Sequence, residues 1–367
     1  MNPKDQRDFV RSGARYLMNH QKPNGKFIYR ARPDSKGVKT DYNVLRHIGS
    51  LYSLSQSRSL LDAKITHTID RGIEYLWRWY LVPIPGPQMQ YAIASARPGK
   101  RNDDIAKIGA MGLALITISS LGRSWSKFDA DAATGIARYV LSLVRSNGTM
   151  TFKHNYRTGQ VSDFISLYYP GEVALGLLLY GARQSDQEAM SVALKILTKL
   201  AKDRRYKKEV PVDHWALLAT AEVFRLANAG KIEISEETLD AFYFHGIQVV
   251  NEIIKGSENP YMEIGSLVGN GQCCSIATRL EGLTAMFPLM KERTDVAQQN
   301  VADLIEIGIS HLIEAQFREG KLKGGVPWIS QHHPNFVKVG QAPEVRIDTV
   351  QHSVSAVLGG LALRQIW

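Results

Sequence analysis

Apolar positions follow a helical rhythm along most of the chain. Over 4–20, Phe9, Val10, Ala14, Leu17 and Met18 line one face, the three-to-four-residue spacing of an amphipathic helix. Ile65, Ile69, Ile73, Leu76 and Trp77 repeat it over 62–80. Between such segments lie runs of another kind, polar at the start and then apolar or small with little charge. They open on Asp41-Tyr42-Asn43-Val44-Leu45-Arg46-His47, Asp103-Asp104, Tyr168-Tyr169-Pro170-Gly171-Glu172, Asp213-His214-Trp215, Ser275-Ile276-Ala277-Thr278-Arg279-Leu280-Glu281 and Arg346-Ile347-Asp348-Thr349-Val350-Gln351-His352. A helix that is apolar all round is a buried helix, so buried and amphipathic helices alternate. The pattern predicts helices over 4–20, 41–56, 62–80, 103–121, 126–146, 168–182, 184–203, 213–228, 236–255, 273–290, 293–317 and 348–365. Pro23-Asn24-Gly25, the Pro83–Pro87 stretch and Asn147-Gly148 punctuate them, because proline and glycine interrupt helices. Short extended pieces are expected at 26–30 and 150–152.

The polar starts recur at roughly sixty-residue intervals, the length of a helical hairpin plus a loop. A second echo links Ala14-Arg15-Tyr16-Leu17 and Asn24-Gly25 to Ala137-Arg138-Tyr139-Val140 and Asn147-Gly148. The buried runs carry Gly109, Gly112, Gly171, Gly176, Gly282, Gly359 and Gly360, which let backbones approach closely at some loss of helix propensity. The expectation is an all-α fold: one (α/α)6 toroid over 1–367, with six outer and six inner helices and minor β pieces. A chain of 367 residues would ordinarily divide into two domains. Stacked hairpins can share one continuous core at that length.

Composition narrows the classes. With 44% hydrophobic and 22% charged residues the chain is globular rather than disordered. No apolar run approaches the ~18 residues of a membrane span. The opening Met1-Asn2-Pro3-Lys4-Asp5-Gln6 has no apolar segment of a secretory signal, which leaves periplasm, exterior and cytoplasm open. The formal charge is +10, which favours an acidic partner. The longest basic run is the short Arg204-Arg205-Tyr206-Lys207-Lys208, so no nucleic-acid partner is expected. The only cysteines, Cys273 and Cys274, are adjacent. They suit neither a mutual disulfide nor a spaced zinc site, and no metal or cofactor is expected.

Twelve alternating helices with polar inner-helix starts resemble the six-hairpin toroids of carbohydrate-active enzymes. These include glycoside hydrolases, unsaturated-uronyl hydrolases, polysaccharide lyases and the helical domain of glucuronyl C5-epimerases. The resemblance covers nearly the whole chain, is architectural, and assigns no specific family. Similar toroids host terpene cyclases and prenyltransferase subunits, but Asp103-Asp104 is followed by Lys107 where an Asp-Asp-x-x-Asp run needs an acid. The Cys-His-Gly pattern of lanthionine cyclases is missing too. What the resemblance implies is a carbohydrate substrate, favourably an anionic poly- or oligosaccharide.

In such a ring the inner-helix starts share one end with the long loops, and their residues become site candidates. Hydrolysis needs two carboxyl groups, one acid and one base or nucleophile; Glu172, Asp213 and Glu281 are the candidates. Lyase or C5-epimerase chemistry needs a Tyr or His base and an Arg on the uronate; His47 and His352 are candidate bases. Asp348 and His352 stand four apart, spaced as a carboxylate orienting an imidazole. Asp41, Tyr42, Arg46, Tyr168, Tyr169, His214, Trp215, Arg279, Arg346, Asp348 and Gln351 are candidates for substrate binding; aromatic faces suit sugar rings. The plain alternatives are N-capping by Asp41 and Asp213, dipole complementation by Glu172 and a buried ion pair at Glu281. A non-catalytic glycan-binding or scaffold toroid is the rival from another class. Oligomeric state is not legible.

Overall fold

The computed structural model describes residues 2–32, 42–98, 104–257, 267, 271–332 and 344–364. Asp41 and Asp103 lie outside the described residues.

Twelve α-helices run through the described residues: α1 (Pro3–Asn19), α2 (Val44–Gln56), α3 (Lys64–Tyr80), α4 (Ile108–Ser119), α5 (Lys127–Leu143), α6 (Tyr169–Gln184), α7 (Gln187–Arg204), α8 (His214–Asn228), α9 (Glu236–Ser257), α10 (Cys273–Glu292), α11 (Gln298–Ala315) and α12 (Ile347–Leu363). Their burial alternates as the sequence pattern requires. Every residue of α4 from Ile108 to Ile118 is buried, as is α12 from Ile347 to Val357. In contrast, α7 buries a stripe of Ala189, Met190, Ala193, Ile196 and Leu197. Caps mark the starts by ordinary chemistry. Asn2 accepts from the Lys4 N–H ahead of Pro3 in α1. Ser126 and Asp129 close a capping box on α5.

Strands are short: β1 (Arg30–Ala31), β2 (Leu81–Pro83), β3 (Tyr91–Ile93), β4 (Ile105–Lys107), β5 (Lys153–Asn155) and β6 (Val345–Arg346). They pair antiparallel as β1–β6, β2–β3 and β4–β5. Some predicted boundaries move: the helix expected from 293 begins at Gln298 and the one expected from 41 at Val44. The helix expected from 103 begins at Ile108, because Ile105, Ala106 and Lys107 instead pair with Asn155, His154 and Lys153. The Ile108 N–H donates to the Phe152 carbonyl at 3.1 Å, so ladder bonds continue into the helix start.

The chain forms two compact units, residues 1–42, 49–73 and 250–367 in the first and residues 43–48 and 74–249 in the second. In the second, glycines set how closely helices approach. A Cβ on Gly112 of α4 would lie 2.8 Å from the Val173 Cα in α6, and one on Gly176 of α6 would lie 2.4 Å from the Gly112 carbonyl oxygen. In the first, α12 is tied to the second half of α2. The Ser50 hydroxyl donates to Gln351 Oε1 and the Ser53 hydroxyl to the Gln351 carbonyl, each at 3.0 Å. Glu344 joins Arg30 at 3.5 Å and Arg32 at 2.7 Å beside the β1–β6 pair.

Candidate active site

In the second unit the chemistry gathers at the start of α6. Tyr168 caps the helix and Pro170 stands in its first turn, where its missing N–H costs nothing. Glu172 follows, its N–H bonded to the Tyr168 carbonyl at 3.0 Å. The Glu172 side chain is 6% exposed. Its Oε2 is buried and, among the described residues, receives no hydrogen bond. Gly109 makes the room: a Cβ there would fall 2.3 Å from Glu172 Oε2 and 2.2 Å from the Tyr169 ring. Burial pushes the Glu172 carboxyl up to about 8; nearby Arg46 opposes this and the Asp213 charge adds to it. Burial with one oxygen left without a donor favours the protonated carboxyl, because the charged form has lost its solvation.

Asp213 sits at the start of α8 and is fully buried. Oδ1 accepts the Ala216 N–H at 3.2 Å, and Oδ2 accepts from Arg204 Nη2 at 3.1 Å. Burial raises its carboxyl to about 6 against the pull of Arg204 and the backbone donors. Arg204 also reaches His245 Nε2 at 3.2 Å. Burial, then the Arg204 charge, push that imidazole down to about 3, so it is neutral and accepts. Sequence reading missed Arg204 and His245. They lie on α7 and α9 with no local pattern to mark them, and only packing brings them to Asp213.

Aromatic rings surround this site. Tyr169 is buried, and its hydroxyl is pushed up by burial, then by the Glu172 charge. Its ring lies 5.9 Å from Phe164 and 6.4 Å from Phe152. Tyr168 is 40% exposed and meets His214 edge-on at 5.5 Å, while His214 lies 4.9 Å from Trp215. His214 and Trp215 are buried. His47 is fully buried, its ring 5.4 Å from Tyr75.

In the first unit, Glu281 of α10 and His352 of α12 form a buried pair, Oε2 to Nδ1 at 2.9 Å. Burial raises the Glu281 carboxyl, and His352 and Ser355 oppose it. The expected i,i+4 relation gives way here: the carboxyl on His352 Nδ1 is Glu281, 71 residues distant in sequence. Asp348 accepts instead from Arg346 Nε at 3.0 Å and from Arg346 Nη2, and Arg346 lies over the Tyr29 ring at 5.6 Å. Gln351 is buried and bonded across to α2. Arg279 Nη1 donates to the Ser275 carbonyl at 3.2 Å. Lys26 Nζ stands 4.5 Å above the Tyr42 ring.

No family model and no curated protein matches the sequence. Solved structures do match. A cellobiose 2-epimerase from Bacillus thermoamylovorans aligns over 97% of this chain and 98% of its own, at 10% identity and a TM-score of 0.70. An unsaturated glucuronyl hydrolase specific for heparin aligns over 99% of both chains, at 9% identity and a TM-score of 0.64. An α-mannanase of glycoside hydrolase family 76 from Bacteroides thetaiotaomicron aligns over 98% of this chain and 96% of its own, at 11% identity and a TM-score of 0.63. At such identities the likeness is one of fold. It is the (α/α)6 toroid fold that the alternating helices predict.

Proposed function

We propose that this protein is a carbohydrate-active enzyme that hydrolyses a glycosidic bond, with Glu172 as the general acid. The observation that carries the reading is the buried Glu172 carboxyl with an unbonded Oε2, raised to about 8. It is protonated at neutral pH, the state in which an acid can give its proton to a departing glycosidic oxygen. Asp213, at about 6, is mostly ionised there. Two carboxyl groups whose environments separate their protonation states are the usual means of dividing acid and base roles. Asp213 is the second carboxyl of this reading. Asp213 is fully buried, so this role requires its surroundings to open and admit water, while its lone pairs suffice to accept from water as well as from Arg204 and the Ala216 N–H. The solved structures of like fold are sugar enzymes by their names, two of them hydrolases, and this supports the substrate class as analogy.

A second reading has its own support in the buried Glu281–His352 pair. A carboxyl on Nδ1 orients an imidazole and designates Nε2 as the nitrogen that exchanges a proton, as epimerisation requires. The lyase alternative would use the same kind of base, with an Arg on the uronate.

One paired experiment separates these readings. Glu172→Gln and His352→Gln are assayed with wild type on neutral and uronate-containing oligosaccharides, following reducing ends and epimeric products. Glu172→Gln is expected to keep the wild-type melting temperature and to lose at least ~100-fold in hydrolytic turnover, within the range general acid catalysis contributes. Full activity in Glu172→Gln would remove the acid assignment. Epimeric products lost only in His352→Gln would move the reading to proton abstraction.

A further inference from the structure

The β4–β5 pair carries an arrangement that hydrolysis alone does not use. Lys107 and Lys153 stand directly opposite each other in its register. Like charges opposed across a strand pair repel. Among the described residues neither lysine forms an ion pair with a carboxylate. Both are half-buried, and both ammonium groups lie 6.0 Å from the Phe164 ring. Burial, then the Lys153 charge, disfavour the Lys107 ammonium. Two cations are thus held together by the strand register with an open demand for negative charge.

Their location ties them to Glu172. Lys107 is two residues from Gly109, whose Cα faces the Glu172 carboxyl. Phe164 packs at 5.9 Å on Tyr169, in the same turn as Glu172. Phe164, Ile165 and Tyr168 are exposed at 41%, 78% and 40%. That is an apolar surface of the kind that receives the face of a sugar ring. All of these residues belong to the second unit.

We propose that Lys107 and Lys153 form an anion subsite for the carboxylate or sulfate group of an acidic sugar, seated against Phe164 and Tyr168. An oxyanion between the two ammonium groups would make charge-assisted hydrogen bonds to both and relieve their repulsion. The placement of this sugar next to the reacting bond rests on the reading of Glu172 as the acid; the binding itself does not.

Calorimetric titration with tetragalacturonate, a heparin-derived tetrasaccharide and neutral cellotetraose tests it. Wild type is expected to bind at least one acidic probe ~10-fold or more tightly than cellotetraose; tight tetragalacturonate binding shows that carboxylates suffice, and binding of the heparin-derived probe alone, which carries both groups, points to sulfate. Lys107→Gln/Lys153→Gln should lose about tenfold or more for that probe, in line with the loss of charged hydrogen bonds. It should keep the cellotetraose affinity within about twofold, and its melting temperature should hold or rise as the repulsion goes. If the double variant does not fold, Lys153→Gln alone should still weaken the acidic probe and spare the neutral one. Equal wild-type affinity for acidic and neutral probes overturns the proposal, as does unchanged acidic affinity in the folded variant. Glu172→Gln separates the two readings. If it keeps both activity and the acidic preference, the acid assignment falls and the subsite stands. If it loses turnover while wild type shows no acidic preference, the subsite falls and the acid assignment stands.

Discussion

Burial acts on Glu172 and Asp213 in the same direction, and their partners separate them. Asp213 receives Arg204 and a backbone N–H, so much of the lost solvation is replaced. Glu172 has Arg46 as a neighbouring charge but no donor on Oε2. Its raised value has a consequence for stability. An unfolded glutamate titrates near 4.3, while the folded Glu172 titrates at about 8. Between those values the native state holds a proton that the unfolded chain has released. Stability from this group is therefore complete below the unfolded value and falls as pH rises toward 8. Asp213, raised to about 6, acts with the same sign but is exhausted earlier. Urea midpoints measured from pH 5 to 9 should show wild type losing stability steadily from pH 5 to about 8 relative to Glu172→Gln, with the difference levelling above 8. Parallel curves would mean that Glu172 is ionised at neutral pH, and the acid role would go with it.

At the scale of elements, glycine placement decides how α4, α6 and α8 lie against one another. Gly112 and Gly176 bring α4 and α6 into backbone contact, and a Cβ on Gly171 would lie 2.5 Å from the Ala216 nitrogen in α8. A methyl at 112 meets backbone, which cannot rotate away. Gly112→Ala should cost about 1–3 kcal/mol despite the better helix propensity of alanine. Gly256, in the last turn of α9, has nothing among the described residues within 4 Å of its would-be Cβ. Gly256→Ala should gain up to about 0.5 kcal/mol, the benefit of replacing a helical glycine reduced by its place in the last turn. Both follow from denaturant unfolding of the two variants; a stabilised Gly112→Ala would contradict the close α4–α6 approach. The element reading also shows where local pattern was sufficient. Pro170 and the glycines around it marked the α6 start in sequence because proline geometry and helix capping are local effects. The β4 strand was not marked. Ile105, Ala106 and Lys107 read as the first turn of a helix until β5, many residues later, supplies them with partners.

For the whole molecule the net charge of +10 sets a long-range preference for acidic ligands, and salt screens it. Affinity for the heparin-derived tetrasaccharide should fall severalfold between 50 and 300 mM sodium chloride, while cellotetraose affinity stays level; calorimetry at the two salt concentrations checks it. An affinity indifferent to salt would leave the excess charge without a role in binding. The alternation of buried and amphipathic helices, and with it the (α/α)6 fold, was legible in the chain by itself. Periodicity and burial are read from residues three and four apart, and those neighbours are the same in the chain and in the fold. The polar helix starts were legible for the same reason. What each polar residue does there was decided only by tertiary structure. Glu281 reaches His352 across 71 residues, Arg204 and His245 converge on Asp213 from two other helices, and Lys107 meets Lys153 through a strand register. Protonation depends on which charges and donors share a buried volume with a group, and no spacing along the chain carries that information.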